Sequence, residues 1–310
     1  RFPPKGDSPH MPPTDRTDLS VQFMHPTPTL AGLVSGYHIY SAGPLGSPVW
    51  DELFFPGWAN IRLTLIDGGW QCGSVGQAMQ FVPPIALFGP ASRGIHSRAH
   101  GGLMIGAGIT PLGWHRLFNR PADLCADRIE PLAGQIAKIP SDVLDCARSD
   151  PSPAAVKTLF DEWLTSCLRP PLRTMPIVAA LLVSLTEDNH TELASVEASL
   201  SLSATQLRRI TRAHFGFAPK LLLRRTRFLK SITRIITLPS ANWSMAIDSS
   251  YFDYAHFVRD CQDFLGMSPR EFLALERPMT HLSLAMRAKQ LGAPLQGMHI
   301  VRSDDLPLPD

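Results

Sequence analysis

The chain carries one pattern twice, fifty positions apart: SATQLRRITRAHFGFAPKLLL begins at Ser203 and DYAHFVRDCQDFLGMSPREFL begins at Asp253. Ser203 corresponds to Asp253, Leu207 to Phe257, Arg209 to Arg259, Phe215 to Leu265, Gly216 to Gly266, Pro219 to Pro269, Lys220 to Arg270 and Leu223 to Leu273. Ser and Asp side chains accept the free backbone N–H groups of a helix's first turn, and Gly takes the left-handed conformation that closes one. Each copy therefore predicts a helix of about three turns. Leu207, Ile210 and Phe215 in the first, and Phe257 and Leu265 in the second, recur at spacings that bury one face and leave the other free. A short, mostly apolar stretch precedes each copy, LASVEASLSL around residues 193 to 202 and WSMAIDSSYF around 243 to 252. Short helix, tight turn and capped second helix make a helix-turn-helix, and a duplicate of it is hard to obtain by chance.

Charge distinguishes a nucleic-acid surface from mere packing. The whole chain has a net charge of only +2, from 29 basic and 27 acidic residues. Residues 198 to 247 hold no Asp or Glu, yet contain Arg208, Arg209, Arg212, Lys220, Arg224, Arg225, Arg227, Lys230 and Arg234. A local cationic stripe on a near-neutral protein is the electrostatic footprint of a phosphate-binding surface, whereas an ordinary solvated helix face mixes both signs.

The stretch YFDYAHFVRDCQDFLGMSP and the two units around it resemble the AraC family of bacterial transcriptional regulators, and Trp243 falls where one branch of that family carries Trp. The resemblance covers roughly residues 175 to 277. It implies two helix-turn-helix units flanking a long linking helix, with double-stranded DNA as the partner. It also implies base-facing roles for Thr205, Arg208 and Arg209 in the first unit and Tyr254, Ala255, Val258 and Arg259 in the second; Arg212 also lies off the buried stripe. Arginine can pair with the O6 and N7 acceptors of guanine. Lys220, Arg224, Arg225 and Arg227 are expected on phosphates, which position a protein without reading sequence. For Arg209 and Arg259 a structural ion pair is the alternative, and for Tyr254 packing of a half-exposed ring weighs as much as base contact. Residues from Pro219 to about Thr237 would form a helix of roughly 28 Å, which with its flanking turns approaches the ~34 Å between successive major grooves. Five residues depart from the family pattern, among them Tyr254, which replaces a polar residue frequent in the related branch. Ser201 and Ser250 occupy turn positions usually held by Gly, Glu197 replaces a small buried residue, and Thr211 replaces an aromatic, so the first unit is expected to pack less tightly.

A 310-residue chain is too long for this helical portion alone. Residues 1 to 20 are rich in Pro and polar residues and read as a mobile leader. From 21 to about 137, short apolar runs such as LVSGYHIY, NIRLTLI, QFVPPIALFG and GLMIGAGI are broken by Gly and Pro, predicting a small antiparallel barrel. The segments HPTPTLAGLVSGYHIY, LFFPGWANIRLTL and ITPLGWHRLFNRPADLCADRIEPLAG look like the cupin-like barrel of the AraC branch with a DQAHF-type second unit, a resemblance that implies an effector domain. The fold class is thus α+β: a cupin-like barrel, then an all-α domain. Residues 138 to 174 read as a linker and an amphipathic helix, which would dock either on its own barrel or on a second subunit of a homodimer. Residues 175 to 278 form the DNA-binding domain, and 279 to 310 a mostly disordered tail with a helix near 281 to 291.

Other chemistries find little support. No two of the eleven His stand one residue apart as cupin metal ligands commonly do, and His96 and His100 lie in a Gly-rich stretch, so no metal, cofactor or catalytic residue is assigned. The five Cys form no CxxC pair and read as reduced thiols, with Cys261 packed inside its helix. Tyr37, Tyr40, Trp50, Trp58, Trp70 and Trp114 would line a pocket or, more often in a barrel of this size, fill its core. No window is apolar enough for a membrane span and no signal peptide is evident, so a cytoplasmic, non-enzymatic regulator with a small-molecule effector is expected. The competing readings are a cupin-like enzyme with a helical dimerisation domain, and a diverged regulator that binds a protein partner.

Overall fold

The computed structural model describes residues 19–44, 49–65, 69–186, 193–237 and 247–299. Two antiparallel sheets make up the N-terminal part. The larger runs β1 (Leu19–Met24), β2 (Val34–Ala42), β9 (Leu103–Ile109), β4 (Ala59–Thr64), β7 (Ile85–Phe88) and β10 (Ile129–Pro131). The smaller runs β3 (Trp50–Phe54), β8 (Ile95–Ala99), β5 (Trp70–Ser74) and β6 (Gln80–Phe81). The predicted runs fall on β2, β4, β6 with β7, and β9. Their period of two sorts side chains onto two faces. Tyr40, Met104, Ala86 and Phe88 meet Trp50, Trp70, Cys72 and Ala99 between the sheets, while Tyr37, Ile39, Ile61, Leu63 and Ile105 form the opposite face.

That opposite face is covered by α1 (Pro111–Leu117), α2 (Val143–Ser149) and α3 (Pro153–Ser166). Phe160 of α3 stacks on Tyr37 with ring centroids 5.3 Å apart, and Asp161 accepts from the Tyr37 hydroxyl (2.6 Å) and the Thr27 N–H (2.8 Å). Of the two dockings open to α3, it takes its own barrel. The stretch expected as a bare linker contains α2, whose Val143 and Ala147 enter the core. Of the six aromatics considered for a pocket, Tyr40 and Trp58 border a cavity of the barrel; Trp50 and Trp70 fill the space between the sheets, and Tyr37 and Trp114 are buried in the barrel core.

The helical part follows as α4 (Met175–Thr186), α5 (Leu193–Ser199), α6 (Ala204–Phe215), α7 (Pro219–Thr237), α8 (Tyr254–Leu265) and α9 (Pro269–Ala274). Both duplicated helices have the expected ends. Ser203 caps α6 in a reciprocal capping box with Gln206, and Gly216 closes it at φ 86°. Asp253 caps α8 through the His256 N–H (2.7 Å), and Gly266 closes it at φ 75°. The turn residue Ser201 is left-handed at φ 51°, as its place in the pattern required. Ser250 is not; its N–H and hydroxyl instead bond Asp248 Oδ1 at 3.0 and 2.5 Å, an Asx turn that needs no positive φ. The helix expected before it falls largely outside the described residues, and 247–253 is turn. Beside Thr211, a gap of about 10 Å³ remains among Leu181, Leu207 and Leu222, in keeping with looser packing of the first unit.

Both units dock on the barrel by the C-terminal ends of their second helices. Phe215 packs edge-on against Trp58, and a Cβ at Gly216 would stand 3.1 Å from Pro90. The Phe264 carbonyl accepts the Gly94 N–H at 2.7 Å, and a Cβ at Gly266 would stand 2.8 Å from Val75. Midway along α7, Arg225 is 1% exposed and donates to the Ala91 and Gly57 carbonyls of the barrel (2.8 and 3.4 Å), its guanidinium 4.2 Å from the Trp58 ring centre. Burial pushes this guanidinium down to about 9, so it stays charged at neutral pH.

The C-terminal segment contains the helix expected near residues 281 to 291. α10 (Pro278–Leu291) lies against β1 and β3, and residues through His299 return across the barrel to α7. The buried Glu52 carboxylate seats the start of α10, accepting from the Met279 N–H (2.8 Å), the Thr280 N–H (3.0 Å) and the Thr280 hydroxyl (2.7 Å). Charge at a helix N-terminus complements the exposed N–H groups and the helix dipole. The docking of this helix on the barrel was not foreseen because these partners are more than two hundred residues away in sequence; residues 300 to 310 lie outside the described ones.

We predict that Arg225→Ala, which leaves two barrel carbonyls short of a donor and opens a gap beside Trp58, lowers the unfolding free energy by about 3 kcal/mol in urea titrations. Arg225→Met, which refills the gap, should cost visibly less. Equal and negligible losses would show that the seam does not depend on this side chain.

Candidate nucleic-acid interface

With their C-terminal ends on the barrel, α6 and α8 present their opposite sides to solvent. On α6, Thr205, Arg208, Arg209 and Arg212 are exposed. On α8, Ala255 and Arg259 are exposed, and Tyr254 and Val258 are half-buried. Tyr254 leans on Phe257 with ring centroids 6.4 Å apart, so part of the ring serves packing. Arg209 and Arg259 make no ion pair with a carboxylate among the described residues. Arg212 lies 3.5 Å from Asp123 of the barrel, linking the first unit to its support.

The four expected phosphate contacts divide differently. Lys220, at the start of α7, is exposed and free to meet a backbone. Arg225 is not: it is sealed at the barrel seam and cannot reach a phosphate. Arg224 and Arg227 face α8. Arg224 Nε lies 2.5 Å from Asp260, its Nη2 binds Asp263, and Arg227 Nη2 lies 3.5 Å from Asp260. Asp260 is fully buried and also accepts the Tyr251 hydroxyl at 2.6 Å. The Arg227 guanidinium sits 4.3 Å from the Tyr251 ring centre. These two arginines therefore fix α8 against α7, and their charges are compensated inside the domain. The free cationic surface is narrower than the sequence stripe suggested, centred on Arg208, Arg209, Lys220 and Arg259.

Sequence reasoning missed the Arg224–Asp260–Arg227–Tyr251 network because its carboxylate lies outside the acid-free stretch. The available signal was the spacing of Asp260 and Asp263 on the inner side of α8, opposite the basic face of α7. Also unanticipated is a histidine pair between the barrel and α6. His115 of α1 and His214 of α6 meet edge-to-face with centroids 4.3 Å apart, and His115 Nε2 and His214 Nδ1 have no hydrogen-bond partner. Burial, with His115 as second cause, pushes His214 down to about 4, and burial also lowers His115.

Among the described residues no group of three or more His, Cys, Asp or Glu is placed to hold a metal ion, and no helix is long and apolar enough to cross a membrane. Cys261 is fully buried inside α8, as its position in the helix implied.

No protein-family model matches the chain, and no curated protein matches it in sequence. Solved structures of ToxT from Vibrio cholerae are similar at low identity. One, a P21 crystal form, has a TM-score of 0.44 at 11% identity over 76% of this chain and 97% of that one. A second has 0.41 at 13% identity over 76% and 95%. A third, bound to an unsaturated fatty acid, has 0.40 at 11% identity over 83% and 95%. The functional reading therefore rests on this chain's own residues.

A histidine held neutral in the fold gives stability that is complete above its unfolded value near 6.5 and is lost as pH falls toward the folded value. We predict that stability, measured by urea unfolding at a series of pH values, falls between about pH 6.5 and pH 4. His38 and His299 are displaced in the same direction and add to the slope. His214→Gln should remove about 2 kcal/mol of the loss between pH 7 and 4.5. An unchanged slope in that variant would show that the pair is not what titrates.

Proposed function

We propose that this chain is a DNA-binding transcription regulator of the AraC type, whose two helix-turn-helix units read adjacent major grooves and whose barrel responds to a small molecule. The observation that carries the reading is the matched construction of α6 and α8. Each is capped, closed by a left-handed Gly, docked by its C-terminal end and left open along the opposite side. They are joined by α7, whose 19 residues span roughly 28 Å. Thr205, Arg208 and Arg209 on α6, with Ala255, Val258 and Arg259 on α8, are the base-reading candidates; Tyr254 contributes its exposed edge. Lys220 is the phosphate contact, and Arg212 the cation at the edge of the first unit. The protein would act in the cytoplasm, where its operator is.

The site supports binding rather than catalysis: it offers hydrogen-bond donors and positive charge, with no nucleophile paired to a base. Coupling would follow if the small molecule changed the seam between the barrel and the two helices, which rests on Arg225 and the ends of α6 and α8.

The test is selection of bound fragments from the source genome by the full chain, followed by fluorescence anisotropy against salt. We expect specific binding whose logarithm falls linearly with the logarithm of salt concentration. Arg209→Ala and Arg259→Ala should each cost about 1 to 3 kcal/mol and relax preference at one position, while Lys220→Ala should weaken all sequences alike and lower the salt slope by about one. Arg224→Ala and Arg227→Ala should instead show as lost stability. Absence of salt-sensitive binding to any duplex would end the regulator reading.

A further inference from the structure

A cavity of about 100 Å³ lies between the inner face of the larger sheet and the C-terminal segment 278–299. One water needs roughly 10–15 Å³, so several ligand atoms fit. Two glycines of the sheet, Gly36 and Gly108, let the segment come this close, and a third, Gly106, makes room for His38. A Cβ at Gly36 would stand 2.4 Å from Leu291 Cδ1, one at Gly108 would stand 2.6 Å from Gln296 Nε2, and one at Gly106 would stand 2.5 Å from His38 Nε2. The segment is thus a strap laid over the cavity, tied down by Arg287 to the Ser35 carbonyl (3.2 Å) and by Gln296 to the Ala59 carbonyl (3.0 Å).

The charges around this cavity do not balance. Arg62 of β4 projects into it across Gly106 from His38, and Arg287 of α10 enters from the strap. Arg62 Nε is buried without a hydrogen-bond partner, and its guanidinium lies 4.3 Å from the Phe88 ring centre. Arg287 is 5% exposed and donates to the backbone carbonyls of Ser35 and Ala293. No carboxylate pairs with either arginine among the described residues. Glu52, the nearby acid, is engaged by Met279 and Thr280 at the start of the strap. His38 is 4% exposed with Nε2 unpartnered, and burial together with the two arginines holds it neutral. The Tyr40 hydroxyl bonds Ser283 at 2.8 Å. The Arg287 guanidinium, withdrawn from water without a counter-ion, is costly unless an anion completes the set, and the half-buried Arg62 stands ready as a second donor. Phe23, Phe54 and Leu284 add apolar wall that suits a compact hydrocarbon body, beside the polar Asn60 and Gln296.

We propose that the barrel cavity is a binding site for a small organic monocarboxylate, its head held between Arg62 of the barrel and Arg287 of the C-terminal strap. Arginine's planar fork matches a carboxylate, and in a desolvated pocket such bonds are strong. Because the strap continues directly from the second helix-turn-helix unit, occupancy of the cavity ties the barrel to that unit through Arg287. This deepens the effector part of the reading above, while the binding itself does not depend on DNA.

The experiment titrates the full chain with benzoate and hexanoate, with benzamide and hexanamide as neutral matches and inorganic phosphate as a bare anion. Binding is followed by calorimetry and by the fluorescence of Trp58 at the cavity wall. At least one carboxylate should bind at a single saturable site, its amide and phosphate at least tenfold more weakly. Arg62→Gln and Arg287→Gln should each weaken the carboxylate at least tenfold, while Arg98→Gln, a surface residue paired with Asp51, should leave it unchanged. Should Arg287→Gln loosen the strap, Arg62→Gln carries the test, since Arg62 makes no hydrogen bond to the strap. No binding by either carboxylate, equal binding by the amides or by phosphate, or wild-type affinity in Arg62→Gln would each overturn the proposal. Carboxylate binding without any DNA binding would sink the regulator reading and leave the cavity assignment standing.

Discussion

The arrangement depends on how the helical part is fastened to the barrel. Arg225, at the middle of α7, places a charged group at a dry seam, where Nη1 donates to two barrel carbonyls and the guanidinium lies over the face of Trp58. On either side of it, the C-terminal ends of α6 and α8 rest on Pro90 and on Gly94 with Val75. Removing one partner of a buried charged contact costs more than the contact gains, so such a seam resists sliding. The barrel therefore acts as a template that sets the two duplicated helices relative to one another and turns their free sides outward.

This fastening divides the basic residues into two groups. Arg224, Arg225 and Arg227 hold the fold together; Arg208, Arg209, Lys220 and Arg259 remain on the surface. The division was not legible in the sequence, because charge counting along the chain treats a cation as free when no acid lies near it in sequence. Asp260 and Asp263 arrive from the next helix, and the partners of Arg225 are backbone carbonyls far upstream, which no composition can reveal. What the sequence did disclose was local chemistry. The ends of α6 and α8 followed from Ser203, Gly216, Asp253 and Gly266, and the limits of α7 from Pro219 and the loss of helical pattern after Thr237.

The same distinction holds in the barrel. Alternating runs located β2, β4, β7 and β9, since period and face are properties of neighbouring residues. The roles of the aromatics were not separable, because Tyr37 and Tyr40 differ only in which face of β2 they occupy. The helix of the strap was legible near residues 281 to 291, but its docking was not: its weak amphipathic pattern means little until Glu52 and the glycines of the large sheet give it a bed. Long-range partners, rather than any intrinsic preference, order that segment.

The most direct test of the central claim is a hydroxyl-radical footprint of the full chain on a selected operator, repeated after inserting five base pairs between the protected tracts. Two tracts about 10 to 10.5 base pairs apart on one face of the duplex are expected, and the half-turn insertion should weaken binding at least tenfold, since a template held at this seam cannot follow the displaced groove. A single tract, or two tracts that tolerate the insertion, would contradict the account.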